Sequence, residues 1–153
     1  MQNIGDKAPD FTLPRDGGGT VTLSDLQPSK VVVFFYPNDD TPGCTVESLA
    51  FTALKDAFAA ADTIVLGISK NSVASHDKFR DKFDLQVALL SDADSDVCER
   101  YGVWAEKNNF GKKSMGIVRG TWLIDGAGNA AEIWTKVKAE GHAEEVLTAA
   151  QAL

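Results

Sequence analysis

Two adjacent segments decide how this chain folds: Val31-Val32-Val33-Phe34-Phe35-Tyr36 and Pro37-Asn38-Asp39-Asp40-Thr41-Pro42-Gly43-Cys44. The first segment is apolar throughout and consists of β-branched and aromatic residues, which is typical of a strand covered on both faces. The second is a loop with two prolines and a glycine. From Cys44 to Ala61 apolar side chains recur at spacings of three and four, so we predict an amphipathic helix that begins at or beside Cys44.

Strands and helices alternate along the rest of the chain. We predict a hairpin of Phe11–Leu13 with Thr20–Leu23, strands at Thr63–Ser69 and Val87–Leu90, a helix from about Ser72 to Phe83, a short helix capped by Asp94 or Ser95 and ending at Tyr101, a hairpin of Gly120–Ile124 with Ala130–Val137, and a last helix at Ala143–Leu153. The β-α-β-α-β order implies parallel strands, to which the later hairpin adds antiparallel ones. The pattern therefore predicts a single α/β domain over residues 1–153, a three-layer α/β/α sandwich with a mixed central sheet and an N-terminal β-hairpin.

Composition excludes several classes of protein. With 153 residues, 44% hydrophobic and 24% charged, the chain has the make-up of an ordinary globular protein. Its longest apolar run, Val31–Tyr36, is far shorter than the roughly 20 residues that a membrane-spanning helix needs. The net charge of −7, from 15 Lys and Arg against 22 Asp and Glu, opposes binding to a phosphate backbone. We expect neither a membrane nor a nucleic acid as partner.

The first residues show neither the basic and apolar regions of a secretory signal nor an Arg-rich transit segment, so we expect a cytoplasmic location. In a reducing compartment the two cysteines, Cys44 and Cys98, are not expected to form a structural disulfide. The two histidines, His76 and His142, do not stand at metal-ligand spacing from these cysteines, so we expect no metal and no cofactor. The importance of the cysteines then lies in thiol chemistry or in packing.

Cys44 is the candidate nucleophile. It follows the carboxyl end of the predicted central strand and opens a helix, the place where reactive groups gather in open α/β sheets. The dipole and the unpaired N–H groups of a helix N-terminus stabilise a thiolate, which is the reactive form of cysteine. The alternative is a small buried core residue, the commoner state of a cysteine. The neighbours Thr41, Pro42 and Gly43 are turn and cap residues rather than core formers, and they favour the reactive interpretation.

The motif Pro37-x-x-x-Thr41-x-x-Cys44 resembles that of the peroxiredoxins, and the run from Phe34 through Glu47 is similar to the peroxiredoxin Q, or bacterioferritin comigratory protein, subfamily. Collinear matches cover almost the whole chain: Gly5-Asp6-Lys7-Ala8-Pro9-Asp10-Phe11, Ser75-His76, Leu89-Leu90-Ser91-Asp92, Tyr101-Gly102-Val103-Trp104, and Arg119 before Trp122-Leu123-Ile124-Asp125. The resemblance implies a thioredoxin-like fold and an antioxidant thiol peroxidase. Such an enzyme reduces hydrogen peroxide and organic hydroperoxides through a cysteine sulfenic acid.

The resemblance also implies roles for the residues around Cys44. The hydroxyl of Thr41 is expected to lie against the peroxide and the sulfur. Arg119 is expected to add a positive charge from the neighbouring strand, which favours the thiolate. Pro37 would shape the loop and exclude water, and backbone N–H groups near Gly43 would bind the substrate.

Three of these side chains have ordinary alternatives. Thr41 in a Pro/Gly loop also suits a helix cap, and Arg119 taken alone suits an exposed surface cation. Glu47 lies one turn after Cys44. It either pairs with Arg119 and orients it beside the substrate, or only complements the positive end of the helix dipole. The sequence leaves both possibilities open.

Many relatives of this subfamily carry a second, resolving cysteine, either five residues after the first or in the second helix, where this chain has Leu49 and Arg80. The only other thiol, Cys98, shares a predicted helical face with Val97 and Tyr101, so we predict that it packs inward, with a resolving role as the alternative. We therefore predict a one-cysteine mechanism resolved by an external thiol, thioredoxin or glutathione with glutaredoxin. A peroxide sensor without turnover is the alternative function, and the subfamily implies a monomer or weak dimer.

Overall fold

The structure is a computed structural model that describes residues 4–153. Its strands, numbered along the chain, are β1 (Thr12–Pro14), β2 (Thr20–Thr22), β3 (Lys30–Phe35), β4 (Thr63–Ser69), β5 (Ala88–Ser91), β6 (Trp104–Asn109), β7 (Lys112–Ile117), β8 (Gly120–Ile124) and β9 (Ala130–Trp134). The central sheet has the order β5-β4-β3-β8-β9. Strands β3, β4 and β5 are parallel, whereas β8 and β9 run antiparallel to their neighbours. The sheet is therefore mixed, and the predicted central strand does lie at its centre.

The helices are α1 (Pro42–Ala53), α2 (Lys55–Ala60), α3 (Val73–Phe83), α4 (Val97–Arg100) and α5 (His142–Ala152). Helices α1, α2, α3 and α5 contribute to the core on one face of the sheet. The N-terminal hairpin of β1 and β2, a 3-10 turn at Leu23–Leu26 and α4 cover the other face. This arrangement confirms the predicted α/β architecture with a mixed sheet and an N-terminal hairpin. None of the helices within residues 4–153 is long and apolar enough to cross a membrane.

Strand β3 shows how the two core layers are separated. Val31, Val33 and Phe35 point into the layer that contains α4, whereas Val32 and Phe34 point into the layer that contains α1. Successive side chains of a strand face opposite sides of the sheet, so both faces of a central strand must be apolar to be buried. The absence of polar alternation in this segment has that physical cause.

Three features differ from the sequence predictions. The predicted helix from Cys44 to Ala61 is two helices, because Leu54 leaves helical geometry with φ −100° and ψ 10°. No proline or glycine marks this break in the sequence, and α2 packs on β4 and α5 after it. Strands β6 and β7 form a two-stranded sheet of their own, which the sequence did not predict. Most of that hairpin is polar and exposed, so it lacks the apolar pattern of a buried strand.

The third difference concerns α4. The sequence predicted Asp94 or Ser95 as its cap, yet the buried carboxylate of Asp92 accepts hydrogen bonds from the backbone N–H groups of Val97 at 3.1 Å and Cys98 at 2.7 Å. Lys70 lies 3.2 Å from the same carboxylate and balances its charge. A side chain five residues before the helix thus replaces the local cap, because the chain folds back at the end of β5.

Replacing Asp92 by Ala removes this cap and leaves the charge of Lys70 without its buried partner. We expect the free energy of unfolding to fall by about 2–3 kcal/mol, measured by urea denaturation. Asp94→Ala is the matched control at the exposed position first predicted as the cap, and it should change stability by no more than about 0.5 kcal/mol. Equal losses for the two variants would show that Asp92 is not the cap that holds α4.

Candidate active site

Cys44 is the third residue of α1, so the helix begins two residues earlier than Cys44, at Pro42. Thr41 is the N-cap, with the extended backbone that a helix cap requires (φ −109°, ψ 155°). The side chain of Cys44 is only 1% exposed and packs in the core layer that α1, α2, α3 and α5 form on one face of the sheet. The structure thus places the thiol where the sequence predicted it, just beyond the carboxyl end of β3, and it buries that thiol.

The start of α1 presents backbone donors beside the sulfur. The first hydrogen bond of the helix runs from the N–H of Thr45 to the carbonyl of Thr41, at 2.9 Å. Pro42 has no N–H, and the Thr41 side chain makes no capping hydrogen bond to the helix. The N–H groups of Gly43 and Cys44 therefore keep the free donor capacity that is general at helix starts and that attracts negative charge.

Arg119 brings a guanidinium to Cys44. It lies in the two-residue connection between β7 and β8, which corrects the prediction that it belongs to a strand. Its Nη2 donates to the Cys44 Sγ at 3.4 Å, and its Nη1 donates to Glu47 Oε1 at 2.7 Å. The side chain of Arg119 is 19% exposed, so most of it is buried together with the sulfur that it contacts.

Gly43 makes this approach possible. A Cβ added to Gly43 would stand 3.0 Å from Arg119 Nη2, closer than ordinary carbon–nitrogen contacts. The absence of a side chain at this position therefore gives the guanidinium the space that it occupies beside Cys44. This packing reason adds to the backbone role that the sequence resemblance implied for Gly43.

Glu47 is fully buried and forms the other end of the Arg119 contact. Of the two possibilities that the sequence left open, the structure contains the ion pair. Burial raises the pKa of Glu47 to about 7, although the positive charge of Arg119 acts in the opposite direction. Its Oε2 has no hydrogen-bond partner among the described residues. For Arg119, burial works against the charged form, but Glu47 and Cys44 outweigh it and raise its pKa, so the guanidinium stays charged.

The Thr41 hydroxyl donates its proton to the carbonyl of Asn38 at 2.8 Å, within the same loop. A hydroxyl has one proton and two lone pairs, so toward the open side Thr41 offers an acceptor rather than a donor. Pro37, the second residue after β3, is half-buried at the other end of this loop. Both predicted loop residues thus lie in the short segment that leads into Cys44.

Cys98 lies away from this site. It packs with Phe35 and Trp122 in the core layer opposite to that of Cys44, so the sheet lies between the two thiols. Burial and the neighbouring Asp92 raise the pKa of the Cys98 thiol far above its ordinary value. Both cysteines are free.

Leu49 and Arg80 occupy the two positions where relatives were expected to carry a resolving cysteine. Leu49 is exposed on the outer face of α1. Arg80, on α3, pairs with Asp16 at 3.0 Å and Asp81 at 3.0 Å. Within residues 4–153 no group of three or more His, Cys, Asp and Glu side chains is arranged to hold a metal ion.

Two further features near the site were missed by sequence reasoning. Lys107 of β6 lies over Gly116, where its Cδ would be 3.4 Å from an added Cβ, and its pKa is lowered by burial and by the charge of Arg119. Asp39, in the loop before Cys44, is bound to the buried His76 of α3 at 2.7 Å. The contact of Asp39 with His76 has no local signal, because it joins residues 37 positions apart, and Lys107 belongs to the hairpin of β6 and β7 that the sequence did not predict.

Comparison with known sequences places this geometry among related proteins. The AhpC/TSA family matches residues 4–133. A putative peroxiredoxin bcp of Coxiella burnetii is 51% identical over 144 residues, covering 94% of this chain and 95% of that protein. Peroxiredoxin Bcp of Bacillus subtilis is 44% identical over 144 residues, covering 94% and 92% of the two chains.

Solved structures agree with the sequence relatives. A cysteine-to-serine mutant of PrxQ from Xylella fastidiosa has a TM-score of 0.94 at 38% identity and covers 99% of this chain and 97% of its own. The bacterioferritin comigratory protein of Xanthomonas campestris, studied for its alkyl peroxide reduction activity, has a TM-score of 0.91 at 40% identity, with 98% of both chains covered. These likenesses confirm the thioredoxin-like fold that the sequence motifs implied.

The buried carboxyl of Glu47 links folding to pH. Because its pKa is raised from 4.5 to about 7, the folded protein keeps a proton that the unfolded chain releases between these values. The stability that Glu47 contributes is therefore complete below about pH 4.5 and is lost as the pH rises through about 7. Glu47→Gln cannot ionise, so its unfolding free energy minus that of the wild type should rise by roughly 3 kcal/mol from pH 4.5 to about pH 8.

The measurement is urea unfolding of both proteins at a series of pH values. Leu49→Ala, at an exposed position of α1, changes no titratable group; it is the control and should give a difference from wild type that does not change with pH. A pH-independent difference for Glu47→Gln would contradict the raised pKa.

Proposed function

The chain belongs to the AhpC/TSA family, within its Bcp or peroxiredoxin Q group, and is a thiol peroxidase; from this premise we propose that Cys44 reacts with hydroperoxides and is regenerated by an external thiol. The observation that carries the assignment of Cys44 is its contact with Arg119. A buried cysteine at a helix N-terminus with a guanidinium 3.4 Å from its sulfur has the surroundings of a stabilised thiolate.

In the proposed reaction the thiolate of Cys44 attacks the terminal oxygen of a hydroperoxide. A sulfur–oxygen bond forms, the O–O bond breaks and the sulfur is oxidised to a sulfenic acid. The other peroxide oxygen leaves with the electron pair as hydroxide or alkoxide and takes up a proton from solvent. No cofactor is required, because the sulfur itself supplies both electrons.

The residues around Cys44 suit the charge that moves during this step. Negative charge passes from the sulfur to the leaving oxygen. Arg119 lies within reach of the sulfur, and the N–H groups of Gly43 and Cys44 in the first turn of α1 are further donors for this charge. The lone pairs of Thr41 can accept a hydrogen bond from the O–H of the hydroperoxide and hold the O–O bond in line. Pro37 gives the loop its shape and removes one N–H that would otherwise bind water.

Both hydrogen peroxide and organic hydroperoxides are proposed as substrates. A shallow cavity of about 470 Å³ adjoins the start of α1 and is lined by Pro42, Gly43, Val46 and the segment from Lys138 to Glu140. Val46 is 40% exposed there, so an alkyl group of the substrate would cover apolar surface next to the nucleophile. The alkyl peroxide reduction activity studied in the Xanthomonas campestris relative supports this proposal.

The proposal that the sulfenic acid is resolved by an external thiol rests on the position of Cys98. A disulfide needs Cα atoms within about 7 Å, and here the central sheet lies between the two cysteines. The raised pKa of Cys98 also keeps it in the unreactive thiol form. A thiol from outside then condenses with the sulfenic acid, releasing water and leaving a mixed disulfide, which a second thiol reduces.

Thioredoxin, or glutathione with glutaredoxin, is the proposed source of these thiols. The thioredoxin and glutathione systems are both kept reduced in the cytosol. We therefore keep the cytosol as the predicted compartment.

Charge near Cys44 should control the rate of the first step. Arg119→Gln is expected to lower the second-order rate constant for oxidation of Cys44 by hydrogen peroxide about a hundredfold, because one donor to the developing charge is lost. Gly43→Ala should lower it about tenfold, since the added Cβ displaces the guanidinium. Stopped-flow measurement of peroxide consumption checks both, with Arg100→Gln, on the opposite face of the sheet, as the control of unchanged rate. An Arg119→Gln rate within twofold of wild type would refute the role of Arg119.

The product of oxidation distinguishes the possible routes of resolution. After one equivalent of peroxide, intact-mass spectrometry should show the gain of one oxygen, and a glutathione adduct when glutathione is present. Cys98→Ser should give the same products, whereas Cys44→Ser should abolish them together with peroxidase turnover. A loss of two hydrogens that disappears in Cys98→Ser would instead establish Cys98 as the resolving thiol. Oxidation of the wild type without continuous turnover by any thiol would favour a sensor.

A further inference from the structure

A buried polar cluster holds the loop that precedes Cys44. The loop residue Asp39 has a side chain only 4% exposed, although its neighbours Asn38 and Asp40 are exposed. Oδ1 of Asp39 accepts from the Tyr36 hydroxyl at 2.7 Å. Oδ2 accepts from the Ser75 hydroxyl at 2.7 Å and lies 2.7 Å from Nδ1 of His76. Three donors therefore meet one carboxylate.

Two polar contacts hold the ring of His76. The ring is fully buried, and its two nitrogens face two oxygens that can only accept: Nδ1 faces the Asp39 carboxylate, and Nε2 faces the carbonyl of Leu90 at 2.9 Å. The ring is therefore held at both of its nitrogens, by the loop on one side and by strand β5 on the other.

This cluster connects the loop to the ends of the parallel strands. The backbone N–H of Asp39 donates to the side chain of Asn71, just after β4, at 2.9 Å. His76 in turn reaches Leu90 of β5. Next to Asp39, the carbonyl of Asn38 accepts the proton of Thr41. The position of the Thr41 hydroxyl thus follows from how Asp39 is anchored.

The burial of Cys44 gives this anchoring a consequence for turnover. Cys44 is 1% exposed, so a large reagent cannot reach its sulfur unless neighbouring residues, among them the loop that ends at Thr41, move aside. We propose that His76 is a positioning residue that, bound to Asp39, holds the Pro37–Thr41 loop in place beside Cys44 during the peroxide step. The inference rests on the proposed function only in taking Cys44 as the group that reacts with the peroxide.

The test separates anchoring of the loop from general stability. In a Cys98→Ser background, so that Cys44 is the only thiol, His76→Gln should lower the rate of oxidation by hydrogen peroxide about tenfold. Two reagents of different size, a polymer-linked maleimide and iodoacetamide, then alkylate Cys44. The rate with the large maleimide divided by the rate with the small iodoacetamide should rise about tenfold in His76→Gln. The ratio cancels the intrinsic reactivity of the sulfur and reports its access. Neither rate involves a reductant, so failure of external resolution would not affect this result.

His142→Gln is the matched control, because His142 is the other buried histidine and bonds to Thr121 rather than to the loop. It should leave both the peroxide rate and the alkylation ratio unchanged. Ser75→Ala, which removes a single donor to Asp39, should give smaller changes of the same two signs and serves if His76→Gln fails to fold. An unchanged alkylation ratio in folded His76→Gln or Ser75→Ala protein, or the same changes in His142→Gln, would overturn the proposal.

Discussion

The guanidinium of Arg119 touches two buried groups, the sulfur of Cys44 and the carboxyl of Glu47, and the rest of the site depends on this contact. A buried charge without a partner costs several kcal/mol, so the guanidinium of Arg119 depends on Glu47 beside it. Gly43 provides the space for the guanidinium, and the connection between β7 and β8 delivers it. In a chain with net charge −7, positive potential at the sulfur has to come from such a local arrangement.

The central sheet has a second effect on the chemistry, because it divides the core into two layers. Cys44 belongs to the layer of α1 and α5, and Cys98 belongs to the layer of α4. The two thiols thus have different surroundings: Cys44 faces a cation at a helix start, and Cys98 is surrounded by apolar side chains beside the carboxylate of Asp92. The carboxylate of Asp92 therefore has two effects: it caps α4, and it raises the pKa of the Cys98 thiol.

Much of the fold was predictable because its signals are local. The apolar segment of β3, the helix after Cys44 and the strand Thr63–Ser69 each carry their own period, and the structure has all three. The break at Leu54 and the hairpin of β6 and β7 were not predicted. The first has no glycine or proline to mark it, and the second is held by backbone pairing between strands with mostly exposed side chains. The bond of Asp92 to α4 replaced the cap expected from Asp94 or Ser95, because a nearby chain reversal provides a buried carboxylate.

By itself, the sequence determined that Cys44 opens a helix after a buried strand, with Thr41 and Pro37 in the loop before it. These are relations between neighbours in the chain, and local propensity and motif spacing are sufficient to define them. Only the tertiary structure decided that Arg119 reaches Cys44 and Glu47, that the sheet separates Cys98 from Cys44, and that His76 binds Asp39. Each of these contacts joins distant segments, and its strength comes from burial, which exists only once the sheet and its covering layers have assembled.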